Sequence, residues 1–269
     1  MAAIRDYATN FISAASTSLP GYLPNYSAGD LLIAVVNSAV TSSVVTSSGW
    51  TLLNNTSITN LTQAVLWKIA GANETDPTFT ITSSVGGVHI TSIQDVYQTT
   101  GATGPGNSTT PFNGTGTGGA TGIAVSSGAT GVPVRGTMPV LNTSVNNSLV
   151  LYIISTATAL VPMVLEGPCI YLYGADYSTS SNALSWGWQK TAGNTPSNVY
   201  YSMTASGFAP SIRATIAVSP PAAGASIIPT YCASDNSTYI DPINGTTAYG
   251  TNSAFAVLSG ASGATGTYS

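Results

Sequence analysis

Charge is nearly absent from this sequence. Of 269 residues, five are Lys or Arg and nine are Asp or Glu, together 5% of the chain, against about 25% in ordinary soluble domains. The net charge of −4 comes with no basic cluster, so binding of nucleic acid by counterion release has no source here. Solubility has to come from Ser, Thr, Asn, Gly and Tyr. A neutral polar surface is nearly indifferent to pH and salt, since few groups titrate and few fields exist to be screened. Such a surface suits a protein outside a cell or in a crowded assembly better than a cytosolic enzyme.

Catalytic equipment is equally scarce. His89 is the one histidine, it sits in a strand-like run, and no Gly-x-Ser-x-Gly elbow accompanies it. Glu74 and Asp76 read as turn formers before a strand. Glu166 and Asp176 flank another strand, too far apart in sequence to pair by local geometry as glycosidase carboxylates must. Asp235 and Asp241 offer oxygen ligands without the calcium-loop pattern. One His and two distant Cys make no zinc pattern. We therefore expect no enzyme, and assign no catalytic residue, metal or cofactor.

Cysteine is limited to Cys169 and Cys232. They read either as two buried thiols or as a single disulfide tying the C-terminal tail to the main domain. The start, MAAIRDYATNF, lacks the basic and apolar regions of a signal peptide. The longest apolar run, Leu149–Leu165, holds Ser, Thr and Pro162 and is short for a membrane span. Two buried strands around a turn fit it better, and no membrane span is expected. An extracellular-type surface without a signal peptide implies synthesis in the cytoplasm and exit by assembly, hence location on a virion.

Helix signals are missing, whereas short runs rich in Val, Ile, Thr and Tyr recur between Gly, Asn, Ser and Pro. We read strands at Tyr7–Ala15, Asp30–Asn37, Thr51–Asn54, Gln63–Ala70, Thr78–Ser83, His89–Tyr97, Gly122–Ser126, Ser148–Thr156, Cys169–Tyr173, Ala183–Lys190, Tyr200–Thr204 and Ile212–Val218. Gln63–Ala70 is apolar on both faces, which predicts a central strand. Many short strands with regular turns predict an all-β, antiparallel sandwich. The low-complexity stretch Thr99–Gly131 reads as a long Gly/Thr-rich loop insert with at most one strand. Pro220–Pro221 marks a boundary. The domain plan is residues 1–221 as the sandwich and 222–269 as an extended C-terminal arm or small β subdomain.

The order of these segments resembles a known family. The run Gly29-Asp30-Leu31-Leu32-Ile33-Ala34-Val35-Val36 is followed by Gly49-Trp50-Thr51-Leu52-Leu53, then by Ala64–Ala70 and Asp76-Pro77-Thr78-Phe79-Thr80. Asn147–Leu151 and Ala214–Val218 complete the series. Together they resemble the jelly-roll β-sandwich of structural proteins from tailed phages and related viruses, found in capsid decoration proteins, head fibres and tail adhesion proteins. The resemblance spans about Tyr7–Pro220 and implies a jelly roll assembled with other virion proteins. The family shares no catalytic residues, so none carry over. In the residues themselves, Gly29-Asp30 reads as a turn feeding a buried strand, and Trp50 as an aromatic plug over the end of the core.

Two patterns remain. Trp186 and Trp188 fall on one face of a strand with Gly187 between them, a candidate platform for stacking on sugar rings; the plainer reading is core or subunit interface. Asn-x-Ser/Thr occurs at 11 of 18 asparagines, including Asn25, Asn54, Asn55, Asn60, Asn73, Asn107, Asn113, Asn142, Asn146, Asn236 and Asn244. Ser and Thr make up 27% of the chain, so chance gives about five. These are candidate N-glycosylation sites. The expected function is a non-enzymatic structural protein on a virus particle, binding copies of itself and other capsid proteins. A receptor-binding protein holding a host surface glycan and a cell-surface filament subunit are the alternatives.

Overall fold

A computed structural model of the protein describes residues 2–43, 45–94, 96, 111–116, 122–128, 135–143, 148–157, 163–166, 170–176, 183–190, 199–203, 211–220, 230–231, 238–240, 247–249 and 256–257. For position 135, most of 163–190, 201–203 and everything after 220, only the backbone is described. The chain divides into two compact units, Met1–Pro221 and Ala222–Ser269. Among the described residues there is no helix, and every strand pairing is antiparallel.

The first unit carries β1 (Ala3–Pro20), β2 (Leu31–Ser38), β3 (Thr51–Ile58), β4 (Leu61–Ile69), β5 (Thr78–Gln94), β6 (Thr115–Gly116), β7 (Ile123–Gly128), β8 (Arg135–Thr137), β9 (Leu141–Asn142), β10 (Leu149–Thr156), β11 (Met163–Glu166), β12 (Ile170–Asp176), β13 (Ala183–Lys190), β14 (Tyr200–Met203) and β15 (Ser211–Val218). The second carries β16 (Thr230–Tyr231), β17 (Thr238–Ile240), β18 (Thr247–Tyr249) and β19 (Ala256–Val257), paired as β16–β19 and β17–β18.

Two five-stranded sheets dominate the first unit, in the orders β1-β5-β2-β4-β3 and β12-β13-β10-β15-β7. Alternate residues of central strands meet between them: Leu31, Ile33 and Val35 of β2 and Val65 of β4 share one cluster with Leu149, Leu151 and Ile153 of β10 and Ile216 and Val218 of β15. Each fully buried Leu, Ile or Val contributes about 1.5–3 kcal/mol over exposure, so this slab is the main source of stability. Residues 3–94 build the first sheet and residues 123–218 the second. The all-β, antiparallel expectation holds among the described residues, and the alternation of strands between sheets that marks a jelly roll is not seen in these two strand orders.

Antiparallel sheets commonly leave one face to water. Here the other residues of the same strands are buried too. On the first sheet, Ala34, Val36, Ala64, Leu66, Val88 and Ile90 cluster with Leu19, Val45, Phe79 and Ile81. The cover is the far half of the β1–β5 ribbon. Straight, β5 would hold residues 79 and 90 about 36 Å apart. Instead Phe79 and Ile90 flank Gly21, each reaching within 3.0 Å of where a Gly21 Cβ would stand, so the ribbon doubles back. Trp50 lies in this outer cluster, edge-on to Phe79 with centroids 5.6 Å apart, half-buried as a plug. On the second sheet, Val150, Tyr152, Ile154 and Ala217 meet Met138, Leu141, Leu165 and Val199, carried on or next to β8, β9, β11 and β14. This is why Leu31–Val36 and Leu149–Ile154 are unbroken apolar runs.

Several segments differ from expectation. Thr78–Ser83 and the described start of His89–Tyr97, as far as Gln94, are parts of one strand, β5, bent within Ser84–Gly87. The run Leu149–Leu165 contains β10 and β11, which join different sheets. Within Thr99–Gly131, Phe112 enters the core, edge-on to Trp67 with centroids 5.5 Å apart, while β7 completes the second sheet and β6 pairs with β9. The Gly29-Asp30 turn is as read: Gly29 has φ 94°, and the Asp30 carboxylate accepts the Ser27 N–H at 2.9 Å and Arg5 Nε at 2.6 Å.

Gly86 lies at this bend, and a Cβ there would stand 2.5 Å from the Asn37 carbonyl oxygen. Because that neighbour is backbone in a central strand, Gly86→Ala should destabilise the domain by about 2–4 kcal/mol. Denaturant unfolding checks this, with a midpoint equal to that of the parent chain as the contrary result.

Candidate functional site

The first sheet ends at β1. This strand pairs only with β5 among the described residues, from Ala3↔Gln94 to Pro20↔Thr78. Its two charges are engaged within the molecule. Arg5 donates to Asp30, and Asp6 accepts the backbone N–H and Nδ2 of Asn25 at 2.9 and 2.8 Å. The Asn25 backbone hydrogen bond holds the Asp6 carboxyl below the ordinary carboxylate range. From Tyr7 to Pro20 the strand carries no charge. Tyr7 and Phe11 are 38% and 54% exposed on the same face. Among the described residues β1 is thus a long, neutral, partly aromatic strand at the margin of its sheet.

Behind this edge the inner face of the first sheet turns polar. His89 pairs in register with Thr9 and Val35. It is fully buried, with Nε2 3.1 Å from Thr91 Oγ1 and its ring stacked on Tyr7 at 5.3 Å. Burial pushes its pKa down to about 3. A ring that stays neutral and has no exposed surface is a packing element, not a proton shuttle at neutral pH. Further along the slab, Gln63 Nε2 donates to Ser155 Oγ at 2.5 Å, and Ser155 Oγ donates to Asn37 Oδ1 at 2.8 Å. This chain of amides and hydroxyl links the two sheets.

Glu74 accepts Lys68 Nζ at 2.5 Å and the Gly71 N–H at 2.6 Å. Lys68 is the first cause holding the Glu74 carboxyl below its ordinary range. Asp76 accepts the Leu23 N–H at 2.9 Å. Both acids thus serve turns. No group of three or more His, Cys, Asp or Glu that could hold a metal occurs among the described residues. Nor, among them, is any helix long and apolar enough to cross a membrane.

The remaining candidates are spread over the molecule. Trp186 and Trp188 lie on β13, paired in register with Ile153 and Leu151, residues of the inter-sheet cluster; the indoles lie outside the described residues. Cys169, Cys232, Asn107, Asn146, Asn236 and Asn244 also lie outside them. Asn25, Asn55, Asn60, Asn73 and Asn142 are exposed and Asn54 is half-buried. The Asn25 amide is held by Asp6 and that of Asn55 by the Ser43 carbonyl at 3.0 Å. Asn113 departs from the expectation. It is 2% exposed, and its Nδ2 donates to Ser148 Oγ and Ser219 Oγ at 3.0 and 3.2 Å, so the folded domain offers no room for a sugar there. The reading of residues alone missed the Asn37–Ser155–Gln63 chain and the edge position of β1; the only signal for the latter was a charge-free polar run after Asp6.

Compared with protein-family models, with curated proteins and with solved structures, the chain matches none.

His89 sets a pH dependence. The unfolded residue takes up a proton near its ordinary value of 6.5 and the folded one only near 3. Stability is therefore complete above about pH 6.5 and falls as pH drops toward 3, by up to roughly 4–5 kcal/mol. His89→Phe should flatten this limb in denaturant titrations run at several pH values, leaving the smaller acid losses of Asp6 and Glu74. An unchanged slope would remove His89 as the cause. For the sequons, peptide mapping of any N-glycans on native material should find Asn60, Asn73 and Asn142 ahead of Asn25 and Asn55, and never Asn113. An intact mass of 27.1 kDa would mean that none is used.

Proposed function

We propose that this chain is a non-enzymatic structural protein on the surface of a virus particle, a capsid decoration, turret or related component. It acts by assembling with copies of itself and with other capsid proteins. The observation that carries this reading is the 18-residue edge strand β1, charge-free after Asp6. Edges are commonly guarded by charge, Pro, short strands or a covering loop, and between Tyr7 and Leu19 the strand supplies neither charge nor Pro. The neutral hydroxyl- and amide-rich composition supports the same reading, since a surface packed against neighbours gains nothing from net charge. Kinship to the viral sandwiches rests on the layered antiparallel architecture and not on jelly-roll connectivity. The glycan-binding alternative rests on Trp186 and Trp188 alone.

The Ala222–Ser269 unit is the expected arm to a neighbour. Ordering so polar and Gly-rich a segment costs about 1–2 kcal/mol per residue in backbone entropy, which a lattice contact offsets. Deleting Ala222–Ser269 should leave the β circular-dichroism signal and unfolding midpoint of the first unit unchanged while reducing incorporation into particles. Undiminished incorporation counts against the proposal.

A further inference from the structure

The inner face of the first sheet ends in a row of amides. Asn37 of β2 and Gln63 of β4 are register partners, and such partners stand side by side on one face. Both point inward, each two residues from Val35 or Val65 of the inter-sheet cluster. Gly87, the register partner of Asn37 on its other side, adds no side chain to the row. From the opposite sheet, Ser155 continues the inward alternation of Leu149, Leu151 and Ile153. All three polar side chains are fully enclosed. Ser155 Oγ accepts from Gln63 Nε2 at 2.5 Å and donates to Asn37 Oδ1 at 2.8 Å. Asn37 Nδ2 and Gln63 Oε1 have no hydrogen-bond partner among the described residues. Turning the amides end for end does not remove this deficit. A hydroxyl has one proton to give, so Ser155 can donate to one amide oxygen and must accept from the other amide's nitrogen. In either arrangement one amide keeps an unmet N–H and the other an unmet C=O.

We infer that this row binds one internal water molecule as a fixed part of the slab. The water accepts from Asn37 Nδ2 and donates to Gln63 Oε1. Its second proton goes to the remaining lone pair of Ser155 Oγ. That makes about three hydrogen bonds, the usual complement of a buried water. Other occupants fail on chemistry. A metal cation satisfies the Gln63 oxygen but sets positive charge against the Asn37 N–H. An anion meets Asn37 and is repelled by Gln63 Oε1. An apolar group leaves both amides unmet. The row fits a small neutral molecule that both gives and takes hydrogen bonds. Because Asn37 and Gln63 belong to one sheet and Ser155 to the other, the water bridges the joint between the sheets. It exchanges only when the sheets part or the end of the slab opens, so its residence time reads out local opening of the core. The site follows from the fold of the first unit and is independent of any assembly.

Two measurements on the full chain test this. A high-resolution crystal structure should show a solvent peak within hydrogen-bond distance of both Asn37 Nδ2 and Gln63 Oε1. Water-oxygen magnetic relaxation dispersion should count one long-lived water fewer in the combined variant Asn37→Leu, Gln63→Leu, Ser155→Ala, whose row offers a water nothing to bind. The crystal structure needs no variant and decides alone if circular dichroism shows that the combined variant does not fold. Three results each overturn the inference. One is a direct Asn37–Gln63 hydrogen bond with no peak at the row. Another is a peak ringed by oxygen atoms alone, as around a cation. The third is an unchanged count of long-lived waters in a folded variant. None of them bears on the assembly reading, which particle incorporation of the Ala222–Ser269 deletion tests separately.

Discussion

The rest of the structure hangs on the contact between β2 and β4 on one side and β10 and β15 on the other. Leu31, Ile33 and Val35 press against Leu149, Leu151 and Ile153 in one buried apolar cluster. The strands that make this contact are apolar on their other faces as well, so neither sheet can stand exposed. Each needs a lid. The first takes its own β1–β5 ribbon, folded back at Gly86, and the second takes β8, β9, β11 and β14. With ion pairs described only at Arg5–Asp30 and Lys68–Glu74, burial and ladder hydrogen bonds carry the stability.

Within the slab the row Asn37, Ser155 and Gln63 breaks the apolar pattern. These side chains stand where the alternation of Leu31, Ile33 and Val35, of Val65, and of Leu149, Leu151 and Ile153 continues toward one end of each strand. Asn37 and Gln63 pair in register, and Ser155 reaches both from the opposite sheet. A slip of two residues between the sheets would set these amides against aliphatic groups, where an unpaired polar atom costs about 1–3 kcal/mol. The row thus selects one alignment of two otherwise greasy surfaces.

Much of the fold was legible from residue order. Ala183–Lys190 coincides with β13 and Ser148–Thr156 nearly so, because strand-length apolar or aromatic runs end at polar and Gly-rich residues. The double-sided apolar character of Gln63–Ala70 correctly marked an interior strand. What was not legible depends on distant partners. Ser84–Gly87 looks like a turn between strands and is a bend within one, since only the approach of Asn37 makes Gly86 necessary. Asn113 looks like any other sequon; its burial is decided by Ser148 and Ser219, 35 and 106 positions away. The strand order that a jelly roll implies could not be read from residues for the same reason. Local patterns mark strands and say little about which strand lies beside which, as with the edge position of β1.

The β1–β5 ribbon also orders events in time. Its pairs join positions 3 and 94 at one end and 20 and 78 at the other, whereas β3 and β4 are joined by the two-residue turn Thr59–Asn60. Closing a long loop costs entropy before any contact repays it, so such ladders form late. During synthesis β1 leaves the ribosome before β5 and then waits for the more than fifty residues of chain that separate the two strands. A newborn molecule in this interval is most open to capture by its neighbours, and the pace at which β5 arrives governs how much of the product matures as separate folded subunits.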